Sequence, residues 1–129
     1  MTKVSLPVSM NEPLSGLQRN AEMMVIMEDL MIQAAQEEDS IKRMALLAVA
    51  YVSVFNNCKI RKRKPFDSFI GETYELVTPT MKFITEQIQH LPTPISCFHC
   101  EGEGYICEQY TKIKPPTFSW GGGKGRLDI

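Results

Sequence analysis

At Pro65 the hydrophobic period of this chain changes from helical to alternating, and no other feature restricts the fold as much. Before it, Leu14, Leu17, Met24, Met27, Met31 and Ala35 recur at three- and four-residue steps, the spacing that lines one face of a helix. Asn11 is placed to cap that helix, with Pro13 in its first turn. Gly16 weakens that turn, so two shorter helices fit the pattern as well as one. Glu37, Glu38 and Asp39 then interrupt the apolar run, and Asp39 caps a second helix through Ile41, Met44, Leu47, Val49 and Val52 to about Phe55, with Asn56-Asn57 as its stop. The middle of this second helix is apolar on nearly all sides, which predicts burial.

Beyond Pro65 the pattern alternates. Thr73–Val77, Met81–Ile88, Ile95–His99 and Tyr105–Ile113 read as strands, with Met81, Phe83 and Thr85 on one face and a turn at Glu101-Gly102-Glu103-Gly104. Short strands joined by short connections imply an antiparallel meander. Gly121–Gly125 reads as a flexible turn, with a further strand beginning at Arg126. The expected class is therefore α+β, with N-terminal helices followed by an antiparallel β-meander. The 129 residues divide into an extended arm (1–13), helices (14–57), a basic loop (58–70) and antiparallel strands (71–129), within a single partial domain. A short sheet of this kind has an open edge, which calls either for self-association through strands or for a larger domain around it.

Composition narrows the function classes. Hydrophobic residues make up 43% and charged residues 22%, which removes disorder as the leading reading. A net charge of −1 supplies no global field toward nucleic acid or acidic lipid, so any such attraction is local and no nucleic-acid partner is expected. The N-terminal MTKVSLPVSMNEP lacks the apolar core of a leader, and the longest apolar run, Met44–Val52, is short of the roughly 20 residues a spanning helix needs. The expectation is a soluble or peripheral, cytoplasmic protein whose cysteines, Cys58, Cys97, Cys100 and Cys107, are free thiols.

Several motifs have rival readings. Lys59, Arg61, Lys62, Arg63 and Lys64 suit an anionic membrane or a phosphate, and equally a solvated loop. Cys97, His99, Cys100 and Cys107 have superficial zinc spacing, but no second pair stands at finger distance. Strand alternation also puts Cys100 on the face opposite Cys97 and His99. The glycine run with Lys124 lacks the pattern of a phosphate loop. Met23, Met24, Met27 and Met31 form an adaptable apolar stripe, which reads as core packing before it reads as a ligand surface. No nucleophile–base constellation is visible, and neither an enzyme nor a bound cofactor is expected.

Four segments in order are similar to one family. SLPVSMNEPLSGLQR resembles the opening of the lipid-binding domain of oxysterol-binding proteins, and EEDSIKRMALLAVAYVSVF resembles its next helix. RKRKPFDSFIGETYELV is similar to the family's KPFNPLLGETYE segment, and KFITEQIQHLPTPISCFHCEGEGY to the stretch carrying EQVSHHPP; the tail FSWGG resembles an FWG segment. The resemblance implies a fragment of a large incomplete β-barrel around an apolar tunnel. It also implies a sterol or phospholipid as ligand, non-enzymatic transfer of it, and a membrane surface as partner. Among the residues at matching positions, Lys64, Phe66, Asp67, His90 and Leu91 would meet the lipid.

Two of these depart from the family pattern. Asp67 stands where the family has asparagine, and Leu91 where it has the second of two histidines that hold a phosphoinositide head group. A carboxylate beside a phosphate is repulsive unless it turns away, for instance onto Arg63. The alternative reading is therefore an interaction or scaffold module that keeps the fold and has lost lipid exchange.

Overall fold

The computed structural model describes residues 7–113 and 127–128; the expectations for the glycine run and the FSWGG tail lie outside the described residues, as do the side chains of Cys58 and Lys59. After a single 3-10 turn at Val8–Met10 come β1 (Asn11–Ser15), α1 (Gly16–Gln36) and α2 (Ser40–Ile60). Then follow β2 (Lys64–Phe66), β3 (Thr73–Val77), β4 (Met81–Gln89), β5 (Ile95–Gly102), β6 (Tyr105–Ile113) and β7 (Leu127–Asp128). The last five strands form one sheet in sequence order, antiparallel throughout and, among the described residues, open at both edges. The expected α+β meander is what the structure shows.

The N-terminal details differ from expectation. Pro13 lies in a strand, not in a helix, and the cap of α1 is Ser15, whose Oγ accepts from the Gln18 amide at 3.3 Å; Asn11 does not cap α1 but ends the 3-10 turn, its amide donating to the Val8 carbonyl, and begins β1. The 1–13 arm is thus partly a strand, and it pairs in parallel with β2, Asn11 opposite Lys64 and Ser15 opposite Phe66. This pair is the exception to antiparallel order. The basic loop expected over 58–70 is shorter as well, because α2 runs past Asn56-Asn57 to Ile60 and Lys64–Phe66 is extended. At the α1–α2 corner, Asp39 caps α2 as expected, accepting from Ile41 N at 2.8 Å. Arg43 returns to donate to the Glu37 carbonyl at 2.8 and 3.0 Å, satisfying the end of α1.

One face of α1 builds the core. Ala21, Met24, Met27 and Met31 pack with Ala50 of α2 and with Met81, Phe83, Phe98, Cys100 and Cys107 of the sheet. On β4 the alternation is complete, Met81, Phe83, Thr85 and Gln87 turning in and the residues between them turning out. Phe83 and Phe98 stack at 5.3 Å between ring centroids, and the Thr85 hydroxyl donates to the Cys97 carbonyl at 2.7 Å, so the one small polar side chain deep in this face has its partner. The methionines Met24, Met27 and Met31 are core, as the bland reading of the stripe holds.

The second helix contradicts its expected burial. Ala50 is fully buried and Leu47 and Val54 pack on the core, but Ile41, Met44, Val52 and Phe55 are between 66% and 72% exposed. At 100° per residue these four fall on one stripe opposite Leu47, Ala50 and Val54. The helix is apolar all round because it has two faces to cover, and only one is covered by the described residues.

The β5–β6 hairpin turns on Glu103-Gly104, not on four residues; Gly104 takes φ +79° and Gly102 remains in the strand opposite Tyr105. The Tyr105 ring lies over Gly102, where an added Cβ would meet its Cζ at 2.1 Å. Gly102→Ala must push a half-buried ring off its seat, so we expect a loss of about 1–3 kcal/mol in denaturant unfolding. Gly102→Ala combined with Tyr105→Ala should recover part of it.

Candidate functional site

The residues that match the family segments lie on either side of one backbone junction, between the turn after β2 and the end of β4. Phe69–Glu72 forms a tight turn, the Phe69 amide donating to Glu72 Oε2 at 2.8 Å and the Glu72 amide to the Phe69 carbonyl at 3.0 Å. Gly71, at φ +76°, then carries the ladder on: its amide donates to the Gln87 carbonyl at 2.8 Å, and Gln87 N donates to the Glu72 carbonyl at 3.0 Å. This stitches the segment after β2 to the end of β4, which leads into His90 and Leu91. Lys64, Phe66, Asp67, His90 and Leu91 lie on the two segments that flank this junction and are all exposed. Among the described residues no hydrogen bond or ion pair joins the 64–67 group to the 90–91 group.

Asp67 does not turn onto Arg63. It pairs with Lys64, Nζ to Oδ2 at 2.8 Å, so a carboxylate already occupies the lysine that the family resemblance points to. Both partners are exposed, and such a pair is worth roughly 0–1 kcal/mol, which an arriving phosphate could overcome.

The basic run is not one patch. Arg61 turns inward: it pairs with Glu12 at 3.0 Å and with Glu22, while Arg19 reaches the other oxygen of Glu12 at 3.3 Å. Glu12 is buried, and a buried carboxylate needs this company. The network ties β1, α1 and the residue after α2 together, which the sequence showed only as a lone acid in an arm and one more cation in a run. Lys62 and Arg63 remain exposed.

On the face of the sheet away from the helices lies a shallow cavity of about 500 Å³, lined by Ile84, Glu86, Cys97, His99, Glu108 and Tyr110 among others. It is open to solvent, and its lining is more apolar than polar. His99 is held there between Glu108, Nδ1 to Oε1 at 2.8 Å, and Glu101, Nε2 to Oε1 at 3.3 Å. These carboxylates were legible in principle, since the Glu103-Gly104 turn sets His99 opposite Glu108. They raise the His99 pKa above its ordinary 6.5, Glu108 contributing most. Cys100 faces the other way, into the core, where burial pushes its thiol up to about 11 and keeps it protonated at neutral pH. Among the described residues no group of three potential ligands is placed to hold a metal, and no helix is long and apolar enough to cross a membrane.

The fold itself defines the class: helices laid on one face of an open antiparallel sheet, as in a barrel only part of which is present. Two solved structures share it. The Osh1 ORD domain in complex with ergosterol matches with a TM-score of 0.74 at 41% identity, over 88% of this chain and 28% of that one. The Osh3 ORD in complex with PI(4)P from Saccharomyces cerevisiae gives 0.73 at 28% identity, over 98% and 35%. The sequence model described as Oxysterol-binding protein matches residues 1–121, and this chain belongs to the oxysterol-binding protein family. Human oxysterol-binding protein-related protein 2 is 37% identical over 94% of the chain, and human oxysterol-binding protein-related protein 1 is 40% identical over the same share. The chain spans only 25% and 13% of their lengths.

Two outcomes follow. Arg61→Ala leaves the buried Glu12 with Arg19 as its one remaining partner and takes the arginine from Glu22, and should cost about 1–3 kcal/mol in unfolding free energy, whereas Lys62→Ala and Arg63→Ala should stay within about 0.5 kcal/mol of the parent. The His99 ring should titrate above 6.5 by NMR, and Glu108→Gln should bring the midpoint down. Because the folded pKa is raised, the stabilisation from its ion pairs is complete below the ordinary value and fades as pH rises through the folded one.

Proposed function

We propose that this chain is one partial domain, part of a non-enzymatic site that holds a sterol or phospholipid, in a protein that associates peripherally with membranes and moves lipid between them. The observation that carries the reading is the uncovered stripe of α2. Ile41, Met44, Val52 and Phe55 run for about 21 Å along the helix, at 1.5 Å per residue, with no charge among them. Such a stripe gains about 25 cal/mol for each Å² of apolar surface taken from water, and a lipid is the occupant that the family and the ergosterol- and PI(4)P-bound neighbours support. Family position supports Lys64, Phe66, Asp67, His90 and Leu91 as the head-group end.

At that end the Lys64–Asp67 pair favours a second reading for one ligand class. A phosphomonoester must displace Asp67 and then sits about 4 Å from its charge, at an expense of about 4 kcal/mol at the effective dielectric near a protein surface. Leu91 offers no hydrogen bond in return. Phosphoinositide exchange is then weak, and sterol or an unphosphorylated head group is the preferred cargo.

Lipid extracted from vesicles by the purified full-length protein tests both readings. Val52→Asp with Phe55→Asp should abolish sterol uptake, and unchanged uptake would refute the stripe as a lipid wall. Phosphatidylinositol 4-phosphate should be taken up poorly, and Asp67→Asn with Leu91→His should raise that uptake by tenfold or more, about 1.4 kcal/mol. Strong uptake by the parent protein with no gain in the double variant would show that the head-group reading is wrong. A protein that carries no lipid at all, while its α2 stripe is covered by a second copy in sedimentation, would favour a scaffold module.

A further inference from the structure

The dipeptide Thr-Pro occurs twice in this chain, at Thr78-Pro79 and at Thr93-Pro94. In sequence the two look alike. Each stands between two strands, and proline both holds the preceding residue extended and removes the amide that would follow it. The structure separates them. Thr78 Oγ1 accepts from the Met81 amide at 3.0 Å and from the Thr80 amide at 3.3 Å, so that hydroxyl holds the β3–β4 turn together. Thr93 belongs to the loop 90–94 between β4 and β5, where His90, Leu91 and Pro92 are exposed. Among the described residues its Oγ1 has no hydrogen-bond partner. It is not one of the side-chain oxygens buried without a partner, which are Ser68 Oγ and Tyr105 Oη, so it faces water. The loop is closed by Gln89 Nε2 donating to the Thr93 carbonyl at 2.9 Å, a bond that can open without breaking the β4–β5 ladder.

A free hydroxyl, an extended backbone and a following residue with no N–H to satisfy are what the groove of a proline-directed protein kinase accepts. The loop also fixes what a phosphate there would meet. Thr93 is three residues from His90, a span of at most about 11 Å when fully extended, and less in a loop that turns back onto Gln89. A phosphothreonine carries a charge of about −1.5 to −2 at neutral pH. Salt screens such a charge over about 8 Å, so it is felt at His90. From Gln87 to Cys100 the sequence holds no acid and no lysine or arginine, and an added phosphate would therefore dominate the local field.

We infer that Thr93 is a phosphorylation site for a proline-directed kinase, and that its phosphate turns anionic head groups away from the 90–94 loop while leaving neutral sterol unaffected. In the reaction Thr93 Oγ1 attacks the γ-phosphorus of ATP. The new O–P bond replaces the one to the bridging oxygen, ADP leaves, and the hydroxyl proton passes to the general base of the kinase. The consequence for cargo rests on the proposed head-group end at His90, whereas the modification rests on the loop alone.

The purified full-length protein is treated with ATP and a proline-directed kinase and then cut with trypsin, which separates Thr78 from Thr93 at Lys82; fragment masses assign the residue. Phosphate should enter Thr93 about tenfold or more faster than Thr78, because Thr78 must first give up its turn. Short synthetic peptides around the two threonines, which have no turn to lose, should react at similar rates. Thr93→Val should abolish the faster reaction and Thr93→Ser should keep it. Lipid uptake is read from phosphatidylcholine vesicles that contain both phosphatidylserine and cholesterol. Phosphorylation should lower phosphatidylserine uptake about fivefold or more and leave cholesterol uptake unchanged. A protein that takes up neither lipid before phosphorylation defeats the lipid-holding reading, and the peptide map then decides the modification by itself. Folded protein that stays unmodified at Thr93, or reacts equally at Thr78, overturns the site. Modified protein whose phosphatidylserine uptake is unchanged, or whose uptake of both lipids falls together, overturns the regulation.

Discussion

The arrangement depends on α1 being covered on two sides at once. Its apolar face meets the inner face of the sheet, and the same helix also packs against α2. A helix in that position needs thin or pliable side chains, and Ala21 with Met24, Met27 and Met31 supplies both kinds. Methionine fills irregular space between a helix and a sheet with little rotamer strain. Because α1 uses up the inner face of the sheet over β3–β6, α2 can reach the core only with Leu47, Ala50 and Val54. The exposure of its other side follows from that geometry.

What the sequence reveals and what it hides divide along the same line. Strand limits at Thr73–Val77 and Tyr105–Ile113 are readable to the residue because alternation reports a sheet with one covered face, and the covered face here is continuous from Met81 to Gln87. The burial of α2 is misread because a helix apolar on every side signals that two surfaces must be covered without saying by what. The strands β1 and β2 are missed for a different reason. A three-residue parallel pairing partner has no alternation to detect, and Pro13 in a strand mimics proline in a first helical turn.

Around the residues that match the family segments, the order of the elements was legible and the electrostatics were not. The segment after β2 is stitched to the end of β4 through Gly71, Glu72 and Gln87, and Lys64, Asp67, His90 and Leu91 lie on the two segments that flank this junction. Yet a run of five cations in sequence says nothing about which of them will find a buried acid. Arg61 has the length and the planar, multidentate head to serve Glu12 and Glu22 together, and it is taken out of the solvent-facing set. Lys64 finds its counterion three residues on. Among the described side chains of the run, Lys62 and Arg63 are the ones exposed without an ion-pair partner, so a count of cations overstates the positive surface.

The exposed apolar residues then sort into two kinds with different physical demands. The α2 stripe is long, smooth and free of charge, and only a dry, extended occupant can satisfy it without stranding polar groups. Phe69, Ile70 and Leu91 stand instead on short loops, where the backbone is held by Glu72 and by Gln89 and the apolar side chains are exposed singly or as an adjacent pair.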